Sequence, residues 1–154
     1  MDGRGFDETP YNGATPEQEE LEDRAYETVG FQEFAPTVKS VAEARRFVGE
    51  VLERFTVNAD QRFACQLVAD ELATNALCHA GSYYSVAVEL SGAHIRICVR
   101  DDSRSLPEIR ITHLDSIRGR GLLVVAHTAE AWGSESLGLG KETWADVHQT
   151  SIEE

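Results

Sequence analysis

Residues 66–81 read QLVADELATNALCHAG. The segment is rich in helix formers and stops at Gly81, the residue type that most readily closes a helix. Upstream, Asn58 or Asp60 offers an N-cap. A helix is therefore expected from about residue 60 to Ala80. At about 100° per residue, Phe63, Leu67, Val68 and Leu72 form one apolar arc, with Glu71 and Asn75 in its middle. Cys65, Ala69, Ala73, Ala76 and Leu77 form a second arc. If the first arc is buried, Glu71 and Asn75 line a pocket, because an unpaired carboxylate facing a core is costly or changes its pKa. If the second is buried, both residues face solvent. Periodicity alone does not choose. Glu71 and Asn75 stand at i and i+4, one above the other. An acid and an amide in that arrangement suit a magnesium-bound phosphate. The amide oxygen can ligate Mg²⁺, and the carboxylate can take a proton from an attacking hydroxyl or water.

The flanking sequence supplies the rest of a domain. Residues 30–35, GFQEFA, alternate weakly and suit an edge strand. Pro36 and Thr37 begin a helix capped by Thr37 or Ser40, whose apolar positions from Val38 to Phe55 recur at helical spacing. SVAVEL (85–90), SGAH (91–94) and IRICVR (95–100) form a hairpin. Residues 101–118 carry no period and contain Pro107. Gly119-Arg120-Gly121 leads into a further helix, LLVVAHTAEAW. Residues 133–136, the turn LGLG (137–140) and ETWADVHQ (142–149) close as a pair of strands. This order implies an α+β fold, a two-layer α/β sandwich whose mixed, mostly antiparallel sheet is covered by helices on one face.

The 154 residues carry 27 acids against 14 bases, a net charge of −13. Phosphate contacts need Lys and Arg, so direct nucleic-acid binding and attachment to anionic membranes are not expected. The acidity is uneven: residues 1–33 hold ten acids and two bases, residues 34–154 seventeen and twelve. The first stretch buries too little apolar surface to offset chain entropy. Residues 1–29 are expected to be a disordered acidic tail, and 30–150 the folded domain. MDGRGFDETP has no apolar run, so no signal or transit peptide is read there, and no segment reaches bilayer length. The expected compartment is the cytoplasm. Cys65, Cys78 and Cys98 sit in apolar contexts and read as small buried hydrophobes.

Two further places suit a nucleotide. Asp101-Asp102 follow the strand IRICVR, where a carboxylate can accept a hydrogen bond from an exocyclic amino group; a solvated turn is the alternative. Gly119-x-Gly121 at a helix start offers bare backbone N–H groups to phosphate; a plain loop is the alternative. Gly140-Lys141 lacks the spacing of a phosphate-binding P-loop, and Lys141 reads as a surface lysine.

Taken together, QLVADELATNALCHAG (66–81), RICVRDDS (96–103), GRGLLVVA (119–126) and GKETWADV (140–147) resemble the ATP-binding domain of the GHKL superfamily, the Bergerat fold of gyrase, MutL and histidine kinases. The likeness covers about residues 30–148 and is closest to the stand-alone anti-sigma factor serine kinases of actinobacterial type. It implies ATP and Mg²⁺ as ligands. It implies Glu71 as general base, Asn75 as the magnesium ligand, and Asp101 as the acceptor of the adenine amino group. Ser103 falls in the same adenine-binding motif. Gly119 and Gly121 would contact phosphate in a lid over 103–118. Thr143 would support the adenine–aspartate contact, and His79 follows the helix motif in a structural or phosphate-contacting role.

The superfamily often has Asp-x-Gly-x-Gly at the adenine motif, where this chain has Asp101-Asp102-Ser103-Arg104-Ser105. Serine lacks glycine's freedom at positive φ. The resemblance further implies a serine/threonine protein kinase that binds a sigma factor and phosphorylates an anti-anti-sigma (STAS-type) partner, with a homodimer as a common state. A non-catalytic ATP-binding interaction module and a protein with a decayed nucleotide site are the alternatives.

Overall fold

The computed structural model describes residues 25–103, 125 and 128–148. Most of the acidic segment lies outside the described residues. So do residues 104–124, including Gly119, Gly121 and nearly all of the expected lid.

Each helix starts where a side chain satisfies its first N–H groups. Strand β1 (Glu27–Phe34) leads through Pro36 into helix α1 (Val38–Leu52). Thr37 is extended, and its hydroxyl accepts from Ser40 N at 3.2 Å. Asn58 does the same for Gln61 N at 2.8 Å and opens helix α2 (Ala59–Asn75), with Asp60 against the positive end of the helix dipole. Helix α2 does not run regularly to its end. Ala76–Ala80 form a π turn, and Gly81 N donates to Ala76 O at 3.3 Å. Gly81 closes it at φ 60, the left-handed region expected of a C′ glycine.

Strands β2 (Tyr84–Ser91) and β3 (His94–Asp101) form the expected hairpin. Strands β4 (Ala131–Ser136) and β5 (Lys141–His148) form the second. Their turn is closed by Leu137 N donating to Gly140 O at 2.8 Å. The sheet order is β1-β2-β3-β5-β4, and every pairing among these strands is antiparallel.

Three boundaries differ from the sequence reading. Strand β1 begins at Glu27, so Glu27 and Thr28 pair with β2, and Val29 forms a bulge before Gly30, although the acidic composition groups them with the tail. Helix α1 ends at Leu52, not near Phe55. Ala131 and Trp132 belong to β4, not to the helix that was expected to reach them. Val125 and Thr128 are helical, and Ala129 N donates to Val125 O at 2.8 Å. Apolar runs of that kind suit either element, and pairing with β5 decides in favour of the strand.

The two helices lie on one face of the sheet. Val48, Leu52, Val68, Leu72, Val86, Val88, Ile95 and Ile97 are all essentially inaccessible and form the core between the layers. The strand period carries this face along β3 through Val99 to Asp101, and along β5 through Lys141, Thr143, Ala145 and Val147. The other face has a smaller buried cluster of Cys98, Ala131 and Trp144. There Arg96 lies between the rings of Tyr26 and Trp144, at 4.1 and 4.2 Å, and donates to both oxygens of fully buried Asp146 at 2.7 and 2.9 Å. Tyr26 OH also donates to Asp146, at 2.9 Å, which ties the start of β1 across the sheet to β5.

Candidate functional site

Helix α2 buries Cys65, Val68, Ala69, Leu72, Ala73 and Ala76. It takes four of the five residues of the second arc and adds Val68 and Leu72 from the edge of the first, so Phe63 is 55% exposed and Leu67 only partly buried. Glu71 and Asn75 consequently stand on the flank of the buried face, neither in the core nor fully in solvent. Asn75 is 8% exposed, and its Nδ2 has no hydrogen-bond partner among the described residues. A buried amide left unpaired costs on the order of 1–3 kcal/mol, so this one points to a group that binds there. Glu71 is half-buried. Burial pushes its carboxyl above the ordinary range, and the neighbouring charge of Asp70 adds to the shift. The π turn follows Asn75 directly. Such turns are frequent at functional sites because they re-aim side chains within a helix.

Asp101 is the last residue of β3 and lies on the helix-covered face. Its Oδ1 accepts from Ser103 N at 2.7 Å. Its Oδ2 lies 3.7 Å from Nζ of Lys141, and both side chains are 2% exposed. Burial raises the Asp101 carboxyl, while the Ser103 N–H and the Lys141 ammonium pull it back down. A carboxylate has about four lone-pair sites, so Asp101 keeps acceptor capacity beyond these two contacts. Ser103 is itself buried. No residue other than glycine takes a positive φ among the described residues, so serine in the glycine position of the motif strains nothing at 103. Ser105 lies outside the described residues.

Thr143 sits two residues beyond Lys141 on the same face, opposite Val99. Its Oγ1 is 3.1 Å from Ser134 Oγ, which donates to Glu142 O at 3.2 Å. With that proton spent, Thr143 donates to Ser134 and keeps its own lone pairs as acceptors. The loop that leaves the π turn and the residue that follows β3 are joined by Asp102 N donating to Ser82 Oγ at 3.2 Å. The described part of the expected site thus gathers on one side of the sheet: Glu71 and Asn75 on the helix, Asp101, Ser103 and Thr143 below. Gly119 and Gly121 lie outside the described residues. His79 is exposed on the π turn.

Lys141 corrects the reading of it as a surface residue. The signal was present, since Lys141, Thr143, Ala145 and Val147 share one phase of a period-2 strand, and the inner phase carries Lys141 inward. Cys78 is exposed, unlike Cys65 and Cys98. Burial pushes the Cys65 thiol up to about 12, so it is inert at neutral pH.

A groove of about 450 Å³ opens at the ends of β1, β2 and β3, where Tyr83, Tyr84, Arg100, Asp101 and Asp102 meet Leu139. Glu71 and Asn75 do not line it, so the acid–amide pair does not share this groove. Around that pair the charges are Asp70 and Glu71, with Asp101 and Lys141 on the sheet. A polyphosphate could approach so many carboxylates only with a cation between them. The Asn75 amide oxygen beside a carboxylate is a hard-oxygen donor set that fits Mg²⁺, and the unpaired Nδ2 offers a hydrogen bond to an acceptor such as a phosphate oxygen.

Residues 34–147 match the model of a protein family described as the histidine kinase-like ATPase domain. No curated protein matches the chain.

Proposed function

The chain belongs to the histidine kinase-like ATPase family, and from that premise we propose that it is an ATP- and Mg²⁺-dependent serine/threonine protein kinase acting as an anti-sigma factor. Its substrate in this reading is a serine on an anti-anti-sigma (STAS-type) partner, and its other partner is a sigma factor. The observation that carries the reading is nine-tenths buried Asn75, whose unpaired Nδ2 is a donor without an acceptor, one helical turn from a Glu71 whose carboxyl is raised.

Asn75 would hold Mg²⁺ through its amide oxygen. ATP–Mg²⁺ supplies the phosphoryl group and, through the metal, neutralises its charge. Glu71 accepts the proton of the serine hydroxyl, and its raised pKa makes it the stronger base once ionised. Asp101 accepts from the adenine amino group. The Ser103 N–H and the Lys141 ammonium both favour the ionised form of that carboxyl against its burial, and the Ser103 N–H fixes its orientation. Thr143 contributes an acceptor beside it. Gly119 and Gly121 offer backbone N–H groups to phosphate from the segment that follows Ser103. The ATP-binding unit corresponds to residues 30–150 together with the start of β1, and a homodimer in the cytoplasm is the working state. Among the described residues no helix is long and apolar enough to cross a membrane.

The test is phosphoryl transfer from γ-labelled ATP to STAS-type proteins of the native host. Wild type labels a serine. Glu71→Gln keeps ATP binding and loses about 100-fold or more in transfer, while Asn75→Ala loses both. Undiminished transfer by Glu71→Gln would sink the catalytic role. ATP binding without transfer by the wild type would leave a non-catalytic interaction module.

A further inference from the structure

A second cluster lies at the opposite end of the sheet from Asp101. His94 is the first residue of β3 and His148 the last of β5, and they face each other directly in the antiparallel ladder. Glu130 immediately precedes β4. Its Oε2 lies 2.6 Å from His94 Nε2 and 3.5 Å from His148 Nδ1, and the three ligand atoms all fall within 4.8 Å of one another. The two rings meet edge-on, with centroids 5.3 Å apart and planes at 70°. This leaves nitrogens, not ring faces, turned toward the carboxylate.

We propose that His94, Glu130 and His148 form a binding site for a divalent transition metal ion, zinc by preference. Zinc takes imidazole nitrogen and carboxylate oxygen at about 2.0–2.2 Å in a tetrahedron, which sets donor atoms about 3.4 Å apart. The observed separations straddle that spacing, so closure on an ion needs only small side-chain rotations. Two neutral imidazoles and one carboxylate form a borderline donor set, which selects zinc and its neighbours over Mg²⁺ and Ca²⁺.

The scaffold holds the three residues independently of an ion. The His94–His148 pairing is fixed by the β3–β5 register. Glu130 N donates to Asp146 O at 2.8 Å, and Gln61 Nε2 donates to His148 O at 3.1 Å. His94 is 2% exposed, whereas His148 and Glu130 are about half exposed. One ligand is thus pre-positioned and desolvated, and the other two leave an approach for the ion and a fourth, water ligand. The site is separate from the nucleotide site proposed above: Asp101 stands at the far end of β3, about 23 Å along the strand. An ion here would join the chain just before edge strand β4 to the end of the β3–β5 pair. It would stabilise that edge without entering phosphate chemistry.

The test uses the full, untagged chain and Zn²⁺ alone, titrated in competition with a chromophoric chelator and in a large excess of Mg²⁺. One Zn²⁺ per chain is expected, with a rise in the thermal midpoint, and Co²⁺ at the same site should give the visible bands of a four-coordinate ion. His148→Ala and Glu130→Gln alter half-exposed residues and keep the far-ultraviolet circular dichroism of the wild type. Each weakens zinc binding by at least about 10–100-fold, the loss that even an outer partner of a ligand produces. Asn75→Ala and Cys78→Ser leave it unchanged. The proposal is overturned if wild type binds no zinc, if Mg²⁺ displaces it, or if both His148→Ala and Glu130→Gln bind as tightly as wild type. Loss of zinc in Cys78→Ser would likewise overturn it.

Discussion

Lys141 and Asp101 show how one buried residue sets the state of another. Burial raises the Asp101 carboxyl, and the Lys141 ammonium lowers it again. A carboxyl whose folded pKa is raised favours the fold fully only below its unfolded value, and that contribution is lost as pH rises through the folded value. Without Lys141 the folded value rises further, and more is lost at neutral pH. Lys141→Met should therefore cost about 3 kcal/mol at pH 7, the loss expected when a buried pair is broken and one charge is left alone. The deficit should shrink as pH falls and Asp101 takes a proton. Urea unfolding of wild type and variant across pH 4–7.5 checks this; a deficit independent of pH would remove the electrostatic explanation. Glu71 has a parallel test. Its carboxyl is raised first by burial and then by Asp70, and in the proposed role the ionised form is the base. Activity should fall as pH drops through the raised value. Asp70→Asn should move the acid limb of kcat/KM to lower pH, and an unmoved limb would separate Asp70 from the base. At this scale the sequence named Glu71, Asn75, Asp101 and Thr143 through their motifs. It did not reveal that Lys141 lies inside, because a lysine after a glycine turn resembles a hairpin surface until the strand's phase is followed inward. It also left His94, Glu130 and His148 unrelated, since only the register of β3 against β5 brings them together.

Helix α2 carries the largest gap between pattern and structure. Its caps were legible in Asn58 and Gly81. Its buried face was not, because Ala and Cys bury as readily as Leu when a sheet packs closely. The two apolar arcs adjoin, and the core takes Val68 and Leu72 from the edge of the first with Cys65, Ala69, Ala73 and Ala76 of the second. The π turn was also invisible, since nothing in ALCHA distinguishes one hydrogen-bond register from the next. It depends on Gly81, at φ 60, where an added Cβ would meet nothing within 4 Å. Gly81→Ala should thus carry a pure backbone cost of about 1–2 kcal/mol, and Gly81→Asn less, since Asn tolerates that region. Thermal unfolding of the two variants measures this. A larger loss in Gly81→Asn than in Gly81→Ala would mean that φ is not what the position selects.

Across the molecule, a sheet with helices on one face places both sites at strand ends, at opposite extremes of β3. The α+β class and both hairpins were readable from alternation and turn residues. The insertion of β5 between β3 and β4 was less so, because it depends on which strand of the last pair has two buried faces. In β5 both phases are buried from Thr143 to Val147, whereas β4 ends in exposed Glu135 and Ser136. The acidity of the whole chain constrains function in the same direction as the site. At −13 it has no surplus of bases with which to meet a polyphosphate, so nucleotide binding must run through a cation and backbone N–H groups. Calorimetric titration with ATP, with and without Mg²⁺, tests that claim most directly. The account predicts one ATP per chain that depends on Mg²⁺ and is lost in Asn75→Ala, with that variant's unfolding midpoint no lower than wild type. ATP binding of equal strength without Mg²⁺, or binding unchanged in Asn75→Ala, would contradict it.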